Sequence, residues 1–430
     1  MYKRFTISVV LLGCMLSTQL QSAWAQPSSI SSNQVSDVGP LSDLVRRVIQ
    51  NHPRARSVDA ALKVSSAKSE AANQPLYNPE LEVEAERTDI NTISLGLSQT
   101  IDWSDKRDAN AKAAMHEHNA VVAEANSQRQ ELAIELLKAL GEYHTASTIN
   151  KHGQRRLQLM QQFSSIAEKR HRAGDLDQIE LDLAKLAVLE ASLESAELAS
   201  RLSDAEQGLL SLLGEQPTPS NWPTLPESGL DLQHSTDDTE ALLREHPRFK
   251  AKQALTLAAR STIDVRQREA RPDPTISIRT GREDDETLTG LSLSLPLFVR
   301  NGYHAEIDEA SAKLVQTEQD AQATWLNLNS QLTAATQRYK STRATWSIWQ
   351  QQGETPLNRR TELLEKIWQA GELGTTDYLV QIKQTLVTQS AATALRGRLW
   401  STWLDWLSAS GTVFKWLSIE NSRATAAMQK

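Results

Sequence analysis

The sequence predicts a mainly helical protein with a small β part, built from two copies of one unit in which a β-hairpin is followed by long antiparallel helices. Glycine (17) and proline (14) are scarce among the 430 residues, which favours long helices over a β-sandwich or a disordered chain. No proline occurs from Glu80 to Gln216. Short motifs also recur in the two halves at a nearly constant offset, which indicates an internal repeat.

Composition and charge argue against several classes of protein. A single cysteine excludes an intramolecular disulfide framework and any four-cysteine zinc or iron–sulfur site. The net charge of −7 gives no basic footprint for nucleic-acid binding. No glycine-rich phosphate loop is present, and no Ser/His/Asp arrangement stands out. We therefore expect a protein that is not an enzyme, that needs no cofactor and that has no metal site of its own.

The first 25 residues have the pattern of a secretory signal peptide. A basic segment at Met1–Arg4 precedes an apolar run from Phe5 to Leu16, and Ala23-Trp24-Ala25 is a small-x-small cleavage pattern. The alternative is a lipobox ending at Cys14, which would make Cys14 the lipidated first residue. Either reading predicts export. No later apolar run reaches the length of about 18 residues that a transmembrane helix needs.

The repeat defines the domain organisation. Residues 26–214 form the predicted first unit, 215–240 a linker rich in proline, serine and aspartate, 241–412 the second unit and 413–430 a C-terminal tail. Three landmarks recur in the same order in both units. They are Asn51-His52-Pro53-Arg54 with Glu245-His246-Pro247-Arg248, Gly96-Leu97-Ser98 with Gly290-Leu291-Ser292, and Arg172-Ala173-Gly174-Asp175-Leu176 with Gln369-Ala370-Gly371-Glu372-Leu373.

Each unit opens with a helix that has Pro53 or Pro247 near its first position, where the missing N–H costs nothing. Long helices are predicted over about 105–213 and about 302–411, and the stretch from Asp105 to Arg172 alone would extend about 100 Å. Gly174 and Gly371 suit helix C-caps, and Pro356 should break the outgoing helix of the second unit. The returning helix has a coiled-coil spacing that predicts a buried seam at Leu176, Ile179, Leu183 and Leu186.

Two segments, about 79–103 and about 274–297, alternate between apolar and polar residues with a period of two. Leu81, Val83 and Ala85 alternate with glutamates, and Leu291, Leu293 and Leu295 alternate with Ser292, Ser294 and Pro296. A soluble sheet would alternate in the same way. The length of the strands, about 9–11 residues, favours strands that cross a membrane at a tilt. Polar turns are predicted at Thr88-Asp89 and from Arg282 to Glu286.

Four strands cannot close a membrane barrel, because eight is the usual minimum and an open edge cannot face lipid. If the strands lie in lipid, the chain must therefore oligomerise. Three copies would supply twelve strands, and the same assembly would close the long helices into a tube.

Two strand-to-helix segments resemble a known family. Residues 97–107 (LSQTIDWSDKR) and 293–301 (LSLPLFVRN) are similar to motifs of the TolC family of outer-membrane efflux proteins, and more narrowly of its heavy-metal subgroup, the CzcC/CusC-like proteins. The likeness covers nearly all of residues 40–412. Two departures concern one local turn: Thr100 stands where proline is common, and Trp103-Ser104-Asp105 replaces the usual glycines.

The resemblance implies a homotrimer with a twelve-stranded β-barrel in the outer membrane and an α-helical barrel across the periplasm. It also implies two protein partners, a periplasmic adaptor and an inner-membrane pump of the resistance-nodulation-division class. The chain would then be the passive exit duct, located in the outer membrane of a Gram-negative bacterium and extending into its periplasm. Heavy-metal cations are the substrate that the subgroup implies, with drugs or other small molecules as alternatives.

The same resemblance implies candidate functional residues. Asp377 matches an inward carboxylate that closes the periplasmic end in the family, whereas the position of the second carboxylate is occupied by Val380. Alternatively, Asp377 only complements the dipole of a helix N-terminus. The two Ala-Gly tips would contact the adaptor; their residues are Arg172, Ala173, Gly174 and Asp175 in the first tip and Ala370, Gly371 and Glu372 in the second.

Glu82, Glu84 and Glu86 form the acidic side of the first predicted strand. They would line the pore and favour cations, or they would form a solvated face with no role in selection. The main rival function is a periplasmic coiled-coil adaptor or scaffold protein without channel activity. An adaptor is expected to have one helical hairpin, whereas this sequence predicts two repeats with strands long enough for lipid.

Overall fold

The computed structural model describes residues 38–87, 91–214, 221–226, 232, 239–370 and 372–419. The predicted signal peptide, Cys14, the predicted turn at Thr88-Asp89 and Gly371 therefore lie outside the described residues. In the described residues there are ten α-helices and four β-strands: α1 (Gly39–Asn51), α2 (Pro53–Ala72), β1 (Glu80–Arg87), β2 (Asn91–Thr100), α3 (Lys106–Ala173), α4 (Gln178–Leu213), α5 (Thr239–Glu245), α6 (Pro247–Glu269), β3 (Thr275–Glu283), β4 (Glu286–Ser294), α7 (His304–Gln352), α8 (Glu354–Gln369), α9 (Thr375–Ser410) and α10 (Val413–Trp416).

The long helices dominate the architecture, as the scarcity of glycine and proline predicts. Helix α3 runs without interruption for 68 residues, and α4 returns alongside it for 36. The second unit is less regular, because α7 ends at Gln352 and α8 starts at Glu354. Pro356 lies in the first turn of α8, where its missing N–H leaves no bond unmade. The predicted break in the second unit is therefore present.

The four strands form one antiparallel sheet in the order β1-β2-β3-β4. Leu97 of β2 lies opposite both Leu81 of β1 and Ile278 of β3, and Ile278 lies opposite Leu291 of β4. The pairing of β2 with β3 joins the hairpins of the two units into a single sheet. Strands β1 and β4 are the two open edges within the chain.

The repeat is visible in how each unit begins and ends. The ring Nδ1 atoms of His52 and His246 accept hydrogen bonds from the backbone N–H groups of Arg54 and Arg248, at 3.1 and 3.2 Å, so each histidine caps a helix that starts with proline. Gly214 and Gly411, which follow the last long helix of each unit, both have positive φ. A Cβ atom at either glycine would press on the histidine and proline of its own unit. Glycine is thus required there both by backbone conformation and by space.

Two hydrophobic cores hold the helices together. The larger one is rich in tryptophan and contains Trp400, Trp403 and Leu407. The indole N–H of Trp400 donates to the carbonyl of Leu137 at 2.8 Å. Val413 and Phe414, from the segment predicted as a tail, are buried in this same core. Within the described residues, no helix combines the length and the apolar character needed to cross a bilayer.

The predicted seam of α4 was wrong. Ile179 is 72% exposed and Leu183 and Leu186 are also exposed, whereas Leu181, Ala184 and Ala191 are buried against neighbouring helices of the chain. Of the predicted seam only Leu176, before the start of α4, is buried. Helix α4 has apolar side chains on two stripes, and heptad spacing cannot distinguish which stripe faces α3. The stripe that contains the small alanines packs inside the chain, because alanine allows a closer approach of the helices.

We expect the stability of the fold to decrease in acid because of His246. Burial lowers the pKa of His246 below its usual value of 6.5, against a hydrogen bond to the carbonyl of Ser408 that acts in the opposite direction. Neutral His246 is favoured in the folded state, so its stabilising contribution is present above the usual pKa and declines as the pH falls below it. Denaturant unfolding between pH 7.5 and 5 measures the effect.

The variant His246→Asn keeps a side chain that can cap α6 but cannot titrate in this range. It should lose part of the pH dependence, whereas His52→Asn controls for the replacement of a cap imidazole. An unchanged pH dependence in His246→Asn would contradict the assignment.

Candidate functional site: the sheet faces and the helix ends

The sheet has an inverted distribution of burial. In β2, Ser94 and Ser98 are only 3% and 4% exposed, whereas Leu95 and Leu97, on the other face of the same strand, are 50% and 56% exposed. Strand pairing extends both faces across the sheet, because residues directly opposite each other share a face. The exposed apolar face comprises Leu81, Val83, Ile93, Leu95, Leu97, Ile276, Ile278, Leu291 and Leu293.

Curvature of the sheet explains why the serines are buried. A Cβ atom at Gly281 of β3 would collide with the backbone of Ile93 and Ser94, its neighbours in β2. The two central strands therefore approach closely on the polar face, from which we infer that the sheet curves toward this face and that it is the concave one. Glycine at position 281 permits this bend, as glycine does at sharp bends of barrel strands. The apolar side chains consequently spread outward on the convex face.

The structure places Glu82, Glu84 and Glu86 together on the polar face of β1, as their alternation predicts. Glu84 has two partners on that face. Its Oε2 atom accepts a hydrogen bond from Nη1 of Arg279 at 3.0 Å and from Oγ of Ser94 at 3.3 Å. The sequence analysis missed Arg279, since only the register between β2 and β3 brings it near β1.

A buried polar cluster lies where the sheet meets the helices and joins the two units. Nζ of Lys106, at the start of α3, is 3.0 Å from Oδ2 of Asp273, which precedes β3. The hydroxyl of Tyr77 donates to the same carboxylate oxygen at 2.8 Å. Burial and the carboxylate of Asp273 raise the pKa of Tyr77 to about 12. Removing one partner from such a buried pair is strongly destabilising, so this cluster fixes the sheet on its helical support.

The turn that departs from the family pattern lies beside this cluster. Asp105 has a φ of 53° directly before α3, and Tyr303 has a φ of 59° directly before α7. Glycine would adopt this conformation without strain, and aspartate is one of the residues that tolerate it best. The carboxylate of Asp102 accepts from the N–H groups of Lys106 and Arg107 at 2.8 and 2.9 Å. Asp102 thus satisfies the first backbone N–H groups of α3, although the turn contains no glycine.

At the first helix tip, the sequence and the structure agree on the role of glycine. Gly174 has a φ of 84° and ends α3, and the N–H of Asp175 donates to the carbonyl of Arg170 at 2.9 Å. This bond pattern is a Schellman cap. Asp177 then starts α4 by accepting a hydrogen bond from the N–H of Glu180 at 2.7 Å. The predicted contact residues Arg172, Ala173, Gly174 and Asp175 are all exposed.

At the second tip, Ala370 and Glu372 are exposed, and the N–H of Glu372 donates to the carbonyl of Ile367 at 3.1 Å. Asp377 is exposed in the first turn of α9. Val380, one turn further along, is exposed as well. The side chains of Asp377 and Val380 therefore share one free face of α9.

An aromatic cluster holds this second tip against the first helix pair. The ring of Tyr378 stacks on those of Phe163 in α3 and Trp368 in α8, with centroids 5.3 and 4.9 Å apart. The guanidinium of Arg170 lies 5.7 Å from the centroid of the Trp368 ring. Tyr378 follows Asp377 directly, so a movement of Asp377 relative to α3 has to disturb this cluster. Sequence spacing could not reveal it, because its members come from three separate helices.

Comparison with known proteins adds independent information. Residues 44–215 match the model of the family described as outer membrane efflux protein. No curated protein matches the chain at a significant level. Three solved structures share the fold: VceC of Vibrio cholerae (19% identity, 86% of this chain and 96% of that one, TM-score 0.70), CmeC of Campylobacter jejuni (14%, 95% and 93%, 0.75) and CusC (15%, 86% and 92%, 0.72).

At these identities the solved structures establish the fold, a mainly helical chain with a small antiparallel sheet, over most of this chain. The family model covers the first unit, including β1, β2, α3 and α4. The resemblance inferred from the strand-to-helix motifs is thereby confirmed for residues 44–215, which are similar to the outer membrane efflux protein family.

Proposed function

We propose that the chain forms a homotrimeric channel that serves as the passive exit duct of a tripartite efflux system. Each copy contributes four strands to a twelve-stranded barrel in the outer membrane and its long helices to a tube across the periplasm. A periplasmic adaptor and a pump of the resistance-nodulation-division class are the proposed partners. On this proposal, residues 26–214 and 241–412 are the two channel-forming repeats, joined by the linker at 215–240.

The inverted burial of β2 is the observation that carries this proposal. A sheet that exposes leucine and buries serine is unfavourable in water, because apolar area stays hydrated. It suits a lipid surface outside and an aqueous lumen inside. The open edges of β1 and β4 add the second requirement, because each unsatisfied backbone group in hydrocarbon costs several kcal/mol. Strands of neighbouring copies would pair with these edges, so that their backbone groups are satisfied while the apolar face stays in lipid.

The exposed stripe on α4 supports assembly outside the membrane as well. Ile179, Leu183, Leu186 and Leu193 are exposed and follow helical spacing along one side of α4. A helix with apolar residues on two stripes has to bury both. One stripe packs inside the chain, and a neighbouring copy would cover the other. The seam that was assigned within the chain is, on this proposal, a seam between copies.

Two features support cations as the exported class. The concave face carries glutamates on β1, β3 and β4, and rings of acidic side chains favour cations in a pore. The motifs at 97–107 and 293–301 resemble those of the heavy-metal subgroup. We therefore propose heavy-metal cations as the substrate, with selection made largely in the pump.

Membrane fractionation and planar-bilayer recording test the channel against the rival adaptor function. We expect the mature protein in the outer-membrane fraction, and we expect the purified protein to produce stepwise conductance. An adaptor without channel activity would be recovered with the soluble periplasmic proteins and would leave the bilayer silent. Two helical hairpins and a sheet with an exposed apolar face favour the channel.

Replacing Leu95 by lysine should prevent insertion of the barrel. A lysine on the lipid side costs about 2–4 kcal/mol near the bilayer midplane. Thr92→Lys is the matched control, because it adds the same charge to the opposite, concave face of the same strand. The measurement is the amount of heat-modifiable protein in the outer membrane. Equal recovery of both variants would contradict the assignment of the faces.

Replacing Asp377 by alanine should raise the single-channel conductance if Asp377 constricts the periplasmic end. Three copies around a narrow axis hold permeating cations, and their removal lowers that barrier. Glu372→Ala, which removes a nearby carboxylate at the tip, should leave the conductance unchanged. If Asp377 only complements the dipole of α9, Asp377→Ala will lower stability slightly with no effect on conductance.

Replacing Gly174 by valine should weaken docking to the adaptor more than trimer formation. A β-branched residue at a φ of 84° costs about 1–3 kcal/mol and distorts an exposed turn that is far from the sheet. Gly208→Val is the control, since a Cβ atom at Gly208 meets open space in α4. Metal resistance and adaptor cross-linking report docking. Normal resistance in Gly174→Val would count against the tip assignment.

A further inference from the structure

The concave face of the sheet carries an unequal set of charges. Register assigns alternate residues of each strand to this face. Among the described strand residues, Arg279 is the one cationic side chain on it. Six carboxylates share the face with Arg279, namely Glu80, Glu82, Glu84, Glu86, Glu283 and Glu286.

Arg279 lies at a position where the sheet leaves room for a long side chain. Its neighbours across the strands are Gly96 of β2 and Gly290 of β4. A Cβ atom at Gly290 would meet no atom within 4 Å. Gly96 adds no side chain to this row, so the guanidinium crosses β2 toward β1 beside Glu82, whose Cβ and Oε2 atoms would lie 3.5 Å from a Cβ atom at Gly96.

The guanidinium uses this room to reach Glu84 and not Glu82, the residue that lies in its own row across Gly96. Nη1 of Arg279 is 3.0 Å from Oε2 of Glu84, and both side chains are about half exposed. An exposed pair of this kind contributes little to stability, because water screens it and both long side chains lose freedom. Its main effect is therefore on the electrostatic potential along the concave face.

Charge along the concave face is consequently arranged in levels. Near the hairpin tips, Glu86, Glu283 and Glu286 lie in one row. Nearer the helices, Glu80, Ser98, Ser277 and Ser292 lie in one row, with Oγ of Ser277 2.6 Å from Oγ of Ser292. Between these rows lie Glu84, Glu82 and Arg279, so Arg279 offsets the charge of Glu84 and leaves that of Glu82. A permeating ion would thus pass an acidic mouth and then a level whose negative charge is reduced by Arg279.

We propose that Arg279 is a selectivity-determining residue of the duct, which limits its preference for cations by neutralising Glu84. This inference rests on the proposed channel function, because the concave face has to be the pore wall. Each copy in the assembly would add one such pair to the same level. Because Glu82 lies in the row of Arg279, each copy then has a charge of about −1 at that level with the pair intact, about −2 without Arg279 and about zero without Glu84.

Reversal potentials in a KCl gradient across a planar bilayer test the proposal with the full mature protein. Arg279→Gln should raise the ratio of potassium to chloride permeability about two-fold, the order expected for a unit charge about 10 Å away in water. Glu84→Gln should lower the ratio, and the double variant should return to the value of the natural protein. Arg282→Gln is the matched control, because Arg282 lies three positions away on the convex face.

Each outcome separates the two hypotheses. If the natural protein and all variants fail to conduct, the channel function itself is overturned, and the inference with it. If channels form but Arg279→Gln has the selectivity of the natural protein, or shifts no more than Arg282→Gln, the role of Arg279 alone is overturned. Opposite shifts in the two single variants, cancelled in the double variant, support it. The conductance steps also show that each variant has assembled.

Discussion

The structure depends on one constraint: a strand edge in hydrocarbon has no water to satisfy its N–H and C=O groups. The chain offers a four-stranded sheet with an apolar convex face and two open edges. Such a sheet leaves apolar area hydrated in water and backbone groups unsatisfied in lipid. On the proposed channel function, lipid covers the exposed leucines and further strands pair with the open edges. On that proposal, oligomerisation is a consequence of the sheet and not an addition to it.

The helices also have surfaces without a partner, but these surfaces consist of side chains and not of backbone groups. Helix α4 satisfies its backbone internally, so only its side chains are left unpartnered. Its alanine-containing stripe packs within the chain, and its leucine and isoleucine stripe stays exposed. Both the sheet and α4 thus have apolar side chains that no other described part of the chain covers. The cluster of Lys106, Asp273 and Tyr77 connects them, because it ties the start of α3 to the strand that begins the second hairpin.

Among the described residues, the concave face of the sheet carries more acidic than basic side chains. Glutamates recur on the concave face, and one arginine is placed where two glycines leave space for it. At the helix tips, the exposed residues are held by backbone hydrogen bonds and by a left-handed glycine at Gly174. The aromatic cluster around Tyr378 instead fixes the second tip by packing against α3 and α8. The tips therefore combine exposed contact residues with a firmly held backbone.

The sequence by itself determined the repeat, the long helices, the hairpins and the two faces of each strand. These features follow from local rules: glycine and proline placement, a period of two in strands, and fixed offsets between copies. Gly174 caps the end of α3, and Pro356 lies in the first turn of α8 after the break in the second unit, as those rules predict. Only the tertiary structure decided which stripe of α4 is buried, because the partner helix and the size of Ala184 and Ala191 select it. It also decided that Arg279 meets Glu84, since register joins residues that are 195 positions apart.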